Sequence, residues 1–517
     1  MSGRRRALVL GLDVGDGDLV REWAARGDLP HLARLIETGT WGRLSTPADT
    51  LHVSAWPTLY TGAPPGVHGV YYTHQPEPAT QGAVRFRADQ YGAPPVWQLL
   101  DAAGRRCVVL DAPYTHRTPG FGGLEILEWG TWAHYGRPSS TPPGALRTLE
   151  RACGRYPLGL EAGRVGLDAL EPDDLCRRLV RAAAARSRAV RHLMAREDWD
   201  LFFTVFSETH PAAHYFWPAE LDAPARGGGL ERLRAVYAAV DTALGEVLAA
   251  LDADGRGPAD VFVVSGDGCG PNRAGWHLLP EVLARLGLTV PPAGAPGSAG
   301  AARGAQPSGS AAPPPPGTLA RLKRAVSRRL PEAVRDALMR RNAAKRIDWP
   351  RSRAFCLPTD FEGCLRVNLC GREPHGIVAP GAAYEAVCEE LAAALEELEN
   401  PATGAPAVRS VVRCDRAFPG PRREHLPDLV VTWRDEAPIA ALRSQRVGLV
   451  AGPSPDQRGG THRAPGFALV RAAGIPPGEL PAGAHVVDLA PTLLARLGLS
   501  APGHVRGRDW TASSLPA

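Results

Sequence analysis

The chain has 517 residues, 44% of them hydrophobic and 22% charged, which is the composition of a globular protein with room for several domains. Its net charge of +5 is local, because residues 319–346 hold ten Lys or Arg against two acidic residues, and this excludes a nucleic-acid role argued from overall charge. Nine scattered cysteines without a C-x-x-C pair exclude a disulfide framework, and no apolar run reaches membrane-spanning length, so we expect a cytoplasmic protein.

Strand-like and helical segments alternate along most of the chain. Short apolar runs rich in β-branched and aromatic residues predict strands at 7–13, 106–111, 200–206, 260–266, 428–433 and 467–471. Amphipathic segments predict helices at 29–38, 172–196, 230–252, 278–286, 382–398 and 488–497. This alternation indicates an α/β fold with a central, mostly parallel sheet sandwiched by helices.

One segment interrupts the alternation. Residues 291–318 are almost wholly Pro, Gly, Ala and Ser, which predicts a flexible insertion that cannot order itself by burying apolar surface. The basic residues 319–346 that follow carry an apolar stripe at helical spacing, which predicts an amphipathic helical lid on the protein body or a helix in peripheral contact with a membrane. The α/β core is thereby divided into a first part, 1–290, and a second part, 347–517.

A pair of histidines follows the predicted strand 200–206. His210 and His214 are four residues apart, so on a helix both imidazoles lie on one face, as in many metal sites. The alternative is a pair of cleft histidines without a ligand. Asp13 and Asp267 also fall at or just past the ends of predicted strands, where ligands collect in parallel sheets. This agreement favours the metal site.

Four separated segments carry recognisable motifs. They are VLGLDVGD at 9–16, SAWPTLYTG at 54–62, VVSGDGCGPN at 263–272 and GTHRAPG at 460–466. Together they resemble the alkaline phosphatase superfamily, and most of all its type I phosphodiesterase and nucleotide pyrophosphatase branch. The resemblance implies an alkaline-phosphatase-like fold with a helical insertion, and hydrolysis of phosphate esters by one or two divalent ions, zinc or alternatively manganese.

The resemblance also implies roles for individual residues. Asp13 matches the acidic metal ligand that ends the first strand, His214 matches the histidine of a D-x-x-x-H element, and His462 matches the late histidine of a G-x-H element. His210 stands where relatives carry aspartate, which gives a site with three imidazoles. A paired D-H motif falls on Gly266 and Asp267, so we expect Asp267 to join Asp13 around a second ion.

The nucleophile departs furthest from the family pattern. Counted back from the 54–62 motif, the nucleophilic Thr or Ser of relatives falls on His52. Thr50 and Ser54 lie two positions to either side, and on an extended segment they would share its face. His52 is therefore a candidate nucleophile, metal ligand or general base, with a non-catalytic packing role as the alternative.

The sequence thus predicts a metal-dependent hydrolase of phosphate mono- or diesters. The expected partner is a small phosphate-ester substrate, and no specific nucleic acid is expected. The alternative is a member of the fold that binds metal or phosphoester without turnover, because Gly266 and His52 replace residues that relatives use. The substrate and the oligomeric state are not predicted.

Overall fold

A computed structural model describes the chain over residues 5–81, 83–87, 91–131, 138–158, 167, 170–218, 228–292, 334, 347–456 and 458–512. The predicted flexible insertion at 291–318 and the basic lid at 319–346 lie almost wholly outside these residues. All nine cysteines fall within them and all are unpaired. In the described part of the chain, no helix is both long and apolar enough to cross a membrane.

The strands are numbered in chain order. They are β1 Arg6–Leu12, β2 Thr40–Leu44, β3 His74–Pro76, β4 Ala83–Arg85, β5 Cys107–Leu110, β6 Leu124–Leu127, β7 Ser139–Thr141, β8 Leu201–Phe206, β9 Ala259–Ser265, β10 Gly268–Pro271, β11 Ala354–Cys356, β12 Gly363–Val367, β13 Glu399–Asn400, β14 Ala405–Pro406, β15 Val408–Arg413, β16 Leu429–Trp433, β17 Ala441–Ser444, β18 Gly448–Ala451, β19 Gly460–Arg463, β20 Gly466–Arg471 and β21 Gly478–Glu479. Each strand predicted from the sequence is present.

The helices are numbered in the same way. They are α1 Gly17–Ala25, α2 Pro30–Thr38, α3 Ala55–Thr61, α4 Pro65–His68, α5 Val96–Ala102, α6 Ala145–Cys153, α7 Pro172–Arg196, α8 Thr209–Phe216, α9 Gly229–Asp252, α10 Leu279–Arg285, α11 Ala382–Glu396, α12 Cys414–Ala417 and α13 Leu489–Arg496. Single 3₁₀ turns join several of them, including one at His52–Ser54.

The core is one large sheet with helices on both faces. Its strand order is β21-β2-β20-β9-β1-β8-β5-β6-β7. The five strands from β9 to β6 run parallel, whereas β20 and β7 pair antiparallel at the flanks. One face packs on α1, α2, α7, α8 and α9, and the other on α3, α5 and α13. The predicted mostly parallel sheet is confirmed.

Two further sheets lie outside the large sheet, and together they are called the second layer. The strands β11, β12, β16 and β15 form an antiparallel sheet, and β13, β14, β17 and β18 form another. The predicted strand 428–433 is β16 and therefore belongs here, not to the large sheet. A fully buried strand reads as a short apolar run in either kind of sheet, so its sequence does not assign it to one of them.

A buried arginine on α7 contacts residues that follow two neighbouring strands of the large sheet, β5 and β8. The Arg186 side chain is wholly buried, and it contacts Asp111 at 2.9 Å and Glu208 at 3.0 Å. It also donates to the Gly130 carbonyl at 2.8 Å, and Tyr156 donates to Glu208 at 2.7 Å. Glu208 immediately precedes α8, so this network fixes the start of that helix.

His68 gives the fold an acid-sensitive point. Its Nδ1 accepts the Val70 N–H at 3.0 Å and its Nε2 lies 3.0 Å from the Thr58 hydroxyl, an arrangement that suits the neutral ring. Burial lowers the pKa of His68 to about 3. The unfolded chain binds this proton near the ordinary value of 6.5, so the unfolded state takes it up first as the pH falls.

We therefore expect His68→Asn to flatten the acid dependence of stability. In the wild type, His68 lowers the free energy of unfolding by about 1.4 kcal/mol for each unit by which the pH falls below 6.5. This loss levels off near pH 3, where the folded protein also binds the proton. Asparagine keeps an acceptor for Val70 but does not titrate. Urea unfolding in chelator at pH 7 and pH 5 measures the slope. The exposed His375→Gln serves as the control, and a slope that His68→Asn leaves unchanged would contradict the expectation.

Candidate metal and catalytic site

The carboxyl ends of three parallel strands meet at one edge of the large sheet. Asp13 follows β1, Asp267 follows β9, and His210 lies in the first turn of α8 just after β8. His462 comes from β19, which pairs with β10 so that Cys269 lies opposite His462. The structure therefore brings together the residues that the sequence placed at strand ends.

Three imidazoles converge at this edge. His210 Nε2 lies 2.9 Å from His214 Nε2, and the His462 ring centroid lies 4.9 Å from that of His210 and 5.1 Å from that of His214. One ring nitrogen from each residue lies within 4.8 Å of the others. The i, i+4 pair on α8 thus shares one face, as its spacing predicts, and the third imidazole closes the group.

Each ring at the site has its Nδ1 held by an oxygen acceptor. His210 Nδ1 lies 2.8 Å from Asp13, His214 Nδ1 lies 2.8 Å from the Gly460 carbonyl, and His462 Nδ1 lies 2.5 Å from Asp267. An acceptor at Nδ1 fixes the tautomer and orientation of the ring, as in the carboxylate–histidine pairs of known metal sites. The Nε2 atoms remain as the ligand atoms.

Trp56 holds the other oxygen of Asp13. Its indole N–H donates to Asp13 Oδ1 at 2.7 Å. The indole reaches this point because β1 has Gly11 where a Cβ would lie 2.5 Å from the Trp56 ring. Both Asp13 oxygens therefore have partners, whereas Asp267 Oδ1 is buried and has no hydrogen-bond partner among the described residues.

Burial sets the protonation of these groups. It lowers the pKa of His462 to about 3, and it lowers the pKa values of His210 and His214 well below the usual range. It also raises the pKa of Asp13 to about 6, and burial together with the charge of Asp13 raises the pKa of Asp267 strongly. The three imidazoles are thus neutral, which is the form that binds metal ions.

His52 lies beside this group on the 3₁₀ turn before α3. Its ring centroid is 4.5 Å from that of His462, and its Nδ1 lies 2.9 Å from Glu362. Burial opposes charging of the ring, but the Glu362 carboxylate outweighs it, so the pKa of His52 is raised. His52 is therefore the one imidazole of the four whose surroundings favour the charged form.

The two hydroxyl candidates are placed differently. The segment is not extended, because residues 47–49 and 52–54 form 3₁₀ turns that lead into α3, so the expectation that residues two apart share a face is wrong here. Ser54 is fully buried and donates to the Val70 carbonyl at 2.5 Å. Thr50 is half-buried and ends the first turn.

Sequence reasoning missed three charged residues at the site. Glu362 and Asp360 come from the loop before β12, and Arg458 lies 3.5 Å from Asp360 and 4.5 Å from the Phe361 ring centroid. The Tyr72 hydroxyl donates to Asp360. The charge of Arg458 contributes to the low pKa values of His210 and His214. The two carboxylates of Asp360 and Glu362 are visible in the sequence, but nothing in it points to His52.

Comparisons with known proteins agree with this fold. A family model described as type I phosphodiesterase/nucleotide pyrophosphatase matches residues 7–463. The solved structure of phosphonoacetate hydrolase from Sinorhizobium meliloti 1021 with phosphonoformate is 15% identical, with a TM-score of 0.51 over 96% of each chain. Murine ectonucleotide pyrophosphatase/phosphodiesterase 5 is 13% identical, with a TM-score of 0.51 over 98% of each chain. At these identities the likeness shows the fold alone, and no curated protein matches the sequence.

Proposed function

Because the chain belongs to the type I phosphodiesterase/nucleotide pyrophosphatase family and is a phosphoester hydrolase of that type, we propose that its hydrolysis depends on a divalent metal ion held by His210, His214 and His462. The convergence of three neutral imidazoles carries this proposal. A set of three histidine nitrogens with a remaining open position suits catalytic zinc, with manganese as the second candidate.

The residues present fit such an ion. The Nδ1 atoms of His210 and His214 donate to oxygens, so their Nε2 atoms, 2.9 Å apart, both carry lone pairs. Two lone pairs at this distance repel each other unless a cation or a shared proton lies between them. The nitrogen of His462 lies within 4.8 Å of both. Asp267 Oδ1 lacks a partner among the described residues, and the charge of a nearby cation would stabilise this buried carboxylate. When bound, a divalent ion would polarise a phosphoryl oxygen and offset the charge that develops on it.

Asp13 and Asp267 have two candidate roles. The sequence interpretation makes them ligands of a second ion. Their contacts to the Nδ1 atoms of His210 and His462 instead support an orienting role around a single ion, and we propose the latter. The two roles differ in metal stoichiometry, with one ion per chain expected for the orienting role.

We expect Asp13→Ala to weaken metal binding without abolishing it. Loss of a carboxylate behind a ligating histidine typically costs about 10- to 100-fold in metal affinity or activity. Metal content after dialysis against graded chelator measures the change. The exposed Asp18→Ala, which loses only a surface contact to Arg43, serves as the control. A wild type with two ions per chain and an Asp13→Ala variant with one would instead support the second-ion role.

We propose that His52 acts as a general acid. Glu362 contacts Nδ1 through both oxygens, at 3.0 and 2.9 Å, so Nδ1 is engaged and Nε2 is the nitrogen left to donate to a substrate. The raised pKa of His52 favours the protonated ring, which can give a proton to the leaving oxygen and in that form has no lone pair for attack. Arg458 adds a positive charge near the same place and would stabilise the phosphoryl group. Ser54, which is buried and committed to the Val70 carbonyl, is not favoured as nucleophile.

The proposal is tested on the purified protein. Metal content is measured together with turnover of p-nitrophenyl phosphate and bis(p-nitrophenyl) phosphate, before and after chelation and on return of zinc or manganese. We expect bound metal, chelator-sensitive hydrolysis and restoration by one of the two ions. Metal binding without turnover of either ester would support the non-catalytic alternative. Turnover that survives complete removal of metal would exclude the metal-dependent mechanism.

A further inference from the structure

A cleft opens beside His462 between the two-stranded β10–β19 sheet and the second layer. The core side contributes Pro271, Thr461 and His462, and the second layer contributes Phe361 and Trp433. Its volume of about 50 Å³ has room for a few waters or one group the size of phosphate or carboxylate. The cleft therefore adjoins the proposed metal site at His462.

Arginine is the recurrent charged residue of its lining. Four arginines line the cleft, against two carboxylates, and they are Arg273, Arg409, Arg434 and Arg463. Of the carboxylates, Glu362 is engaged by His52, and Asp49 accepts the Ala464 N–H at 2.9 Å. The cleft is thus a positive pocket that adjoins the reaction centre.

These guanidinium groups are not fully compensated by their own carboxylate partners. Arg409 and Arg463 share the single carboxylate of Asp435, and Arg434 lies 3.5 Å from Glu436. Arg273 has no carboxylate partner among the described residues. It donates to the Asp435 and Glu436 carbonyls at 2.7 and 2.5 Å, and its buried Nε–H has no acceptor in the described structure. A buried charged donor without an acceptor is costly and calls for a ligand.

The backbone makes room for this arrangement. Arg463 directly follows His462 on β19, and its side chain crosses β10 at Gly270, where a Cβ would lie 2.7 Å from the Arg463 Nε. The arginine is held there by Asp435 and by the Pro271 carbonyl at 3.3 Å. The residue next to a proposed ligand is thereby fixed along the cleft wall.

We propose that this cleft binds a second anionic group of the substrate, so that the substrate class is phosphate esters bearing a further phosphate or carboxylate. The inference rests on the proposed function, because it assigns the part of the substrate that is not cleaved. Arg273 and Arg463 receive the anion as charge-assisted hydrogen-bond donors, and Arg409 adds positive charge to the lining. The alternative, that the arginines serve only to tie the second layer to the core, leaves the Arg273 Nε–H unexplained.

Three unreactive probes test the proposal by calorimetry on the metal-containing protein. Methylphosphonate has one anionic group, methylenediphosphonate has a second phosphonate, and 3-phosphonopropionate has a second group that is a carboxylate. We expect at least one of the two-anion probes to bind about 10- to 100-fold more tightly than methylphosphonate, the range for one charge-assisted hydrogen bond or more. The tighter of the two identifies the chemistry of the second group.

Two variants test whether the preference for two-anion probes arises in the cleft. Arg273→Gln and, in case that variant does not fold, Arg409→Ala are expected to reduce the preference at least several-fold and to leave methylphosphonate affinity unchanged. Arg443→Ala, which removes an exposed arginine paired with Glu399, serves as the matched control. Equal affinity of the wild type for all three probes overturns the proposal, as does a preference that both variants retain. A protein that shows the preference but hydrolyses no ester contradicts the proposed function instead, and leaves the anion site standing.

Discussion

His462→Ala is expected to release the bound metal and to lower ester hydrolysis by roughly 10³-fold or more, since a metal ion contributes several kcal/mol of charge stabilisation and each 1.36 kcal/mol is tenfold in rate. This residue closes the imidazole group, because His210 and His214 come from one helix and only His462 approaches from another element. Its removal also leaves the buried Asp267 without its imidazole partner.

Metal content by mass spectrometry and hydrolysis of bis(p-nitrophenyl) phosphate measure the two losses together. The exposed His375→Gln is the matched histidine control and is expected to retain both metal and rate. Thermal unfolding with and without added zinc shows whether the variant still folds, and a folded variant should lose the metal-dependent gain in melting temperature. A His462→Ala protein with full metal content and full rate would refute the three-histidine site.

His52→Gln is expected to slow hydrolysis by about 10²- to 10⁴-fold, the usual contribution of a positioned general acid. The size of the loss should depend on the leaving group. A poor leaving group such as phenolate needs the proton, whereas p-nitrophenolate leaves without much help. We therefore expect the larger loss with the phenyl ester and the smaller with the p-nitrophenyl ester, at unchanged metal content.

The same pair of substrates distinguishes a general-acid role of His52 from a nucleophilic role. If the His52 imidazole attacked phosphorus, its loss would slow both esters to a similar degree, and wild-type protein quenched at high pH would contain phosphohistidine. If His52 held the metal, the variant would lose metal as His462→Ala does. The Ser54→Ala variant serves as the control for the neighbouring hydroxyl and is expected to retain most of the activity, because that hydroxyl is buried against the Val70 carbonyl.

Much of the fold and the centre of the site could be predicted from the sequence. Strand and helix periodicity is local, and the carboxyl ends of parallel strands meet at one edge, so Asp13, His210 and Asp267 were placed together correctly. The alkaline-phosphatase-like class of the fold is confirmed by the family match and by the solved structures. The specific roles of the site residues remain predictions.

The rest depends on contacts between distant segments. Glu362 lies 310 residues from His52, and Arg458 reaches the site from the loop before β19. No periodicity or local motif encodes such pairings, because they follow from how the second layer packs on the large sheet. The same reason explains why β16 was predicted as a strand but not assigned to its sheet. The 3₁₀ geometry at residues 52–54 was missed since such short turns have no strong sequence signal.

The buried Arg186 network has a consequence for how this protein can diverge. Arg186 contacts Asp111 and Glu208, and all three side chains are withdrawn from solvent. Loss of one partner leaves an uncompensated charge in the interior and lowers the free energy of unfolding by about 3–5 kcal/mol. Replacement of all three by apolar residues can instead leave the stability unchanged. We therefore expect these three positions to be inherited as a unit among relatives, either all ionic or all apolar. Since Glu208 begins the turn that carries His210, lineages that exchanged the unit should also show altered residues on α8.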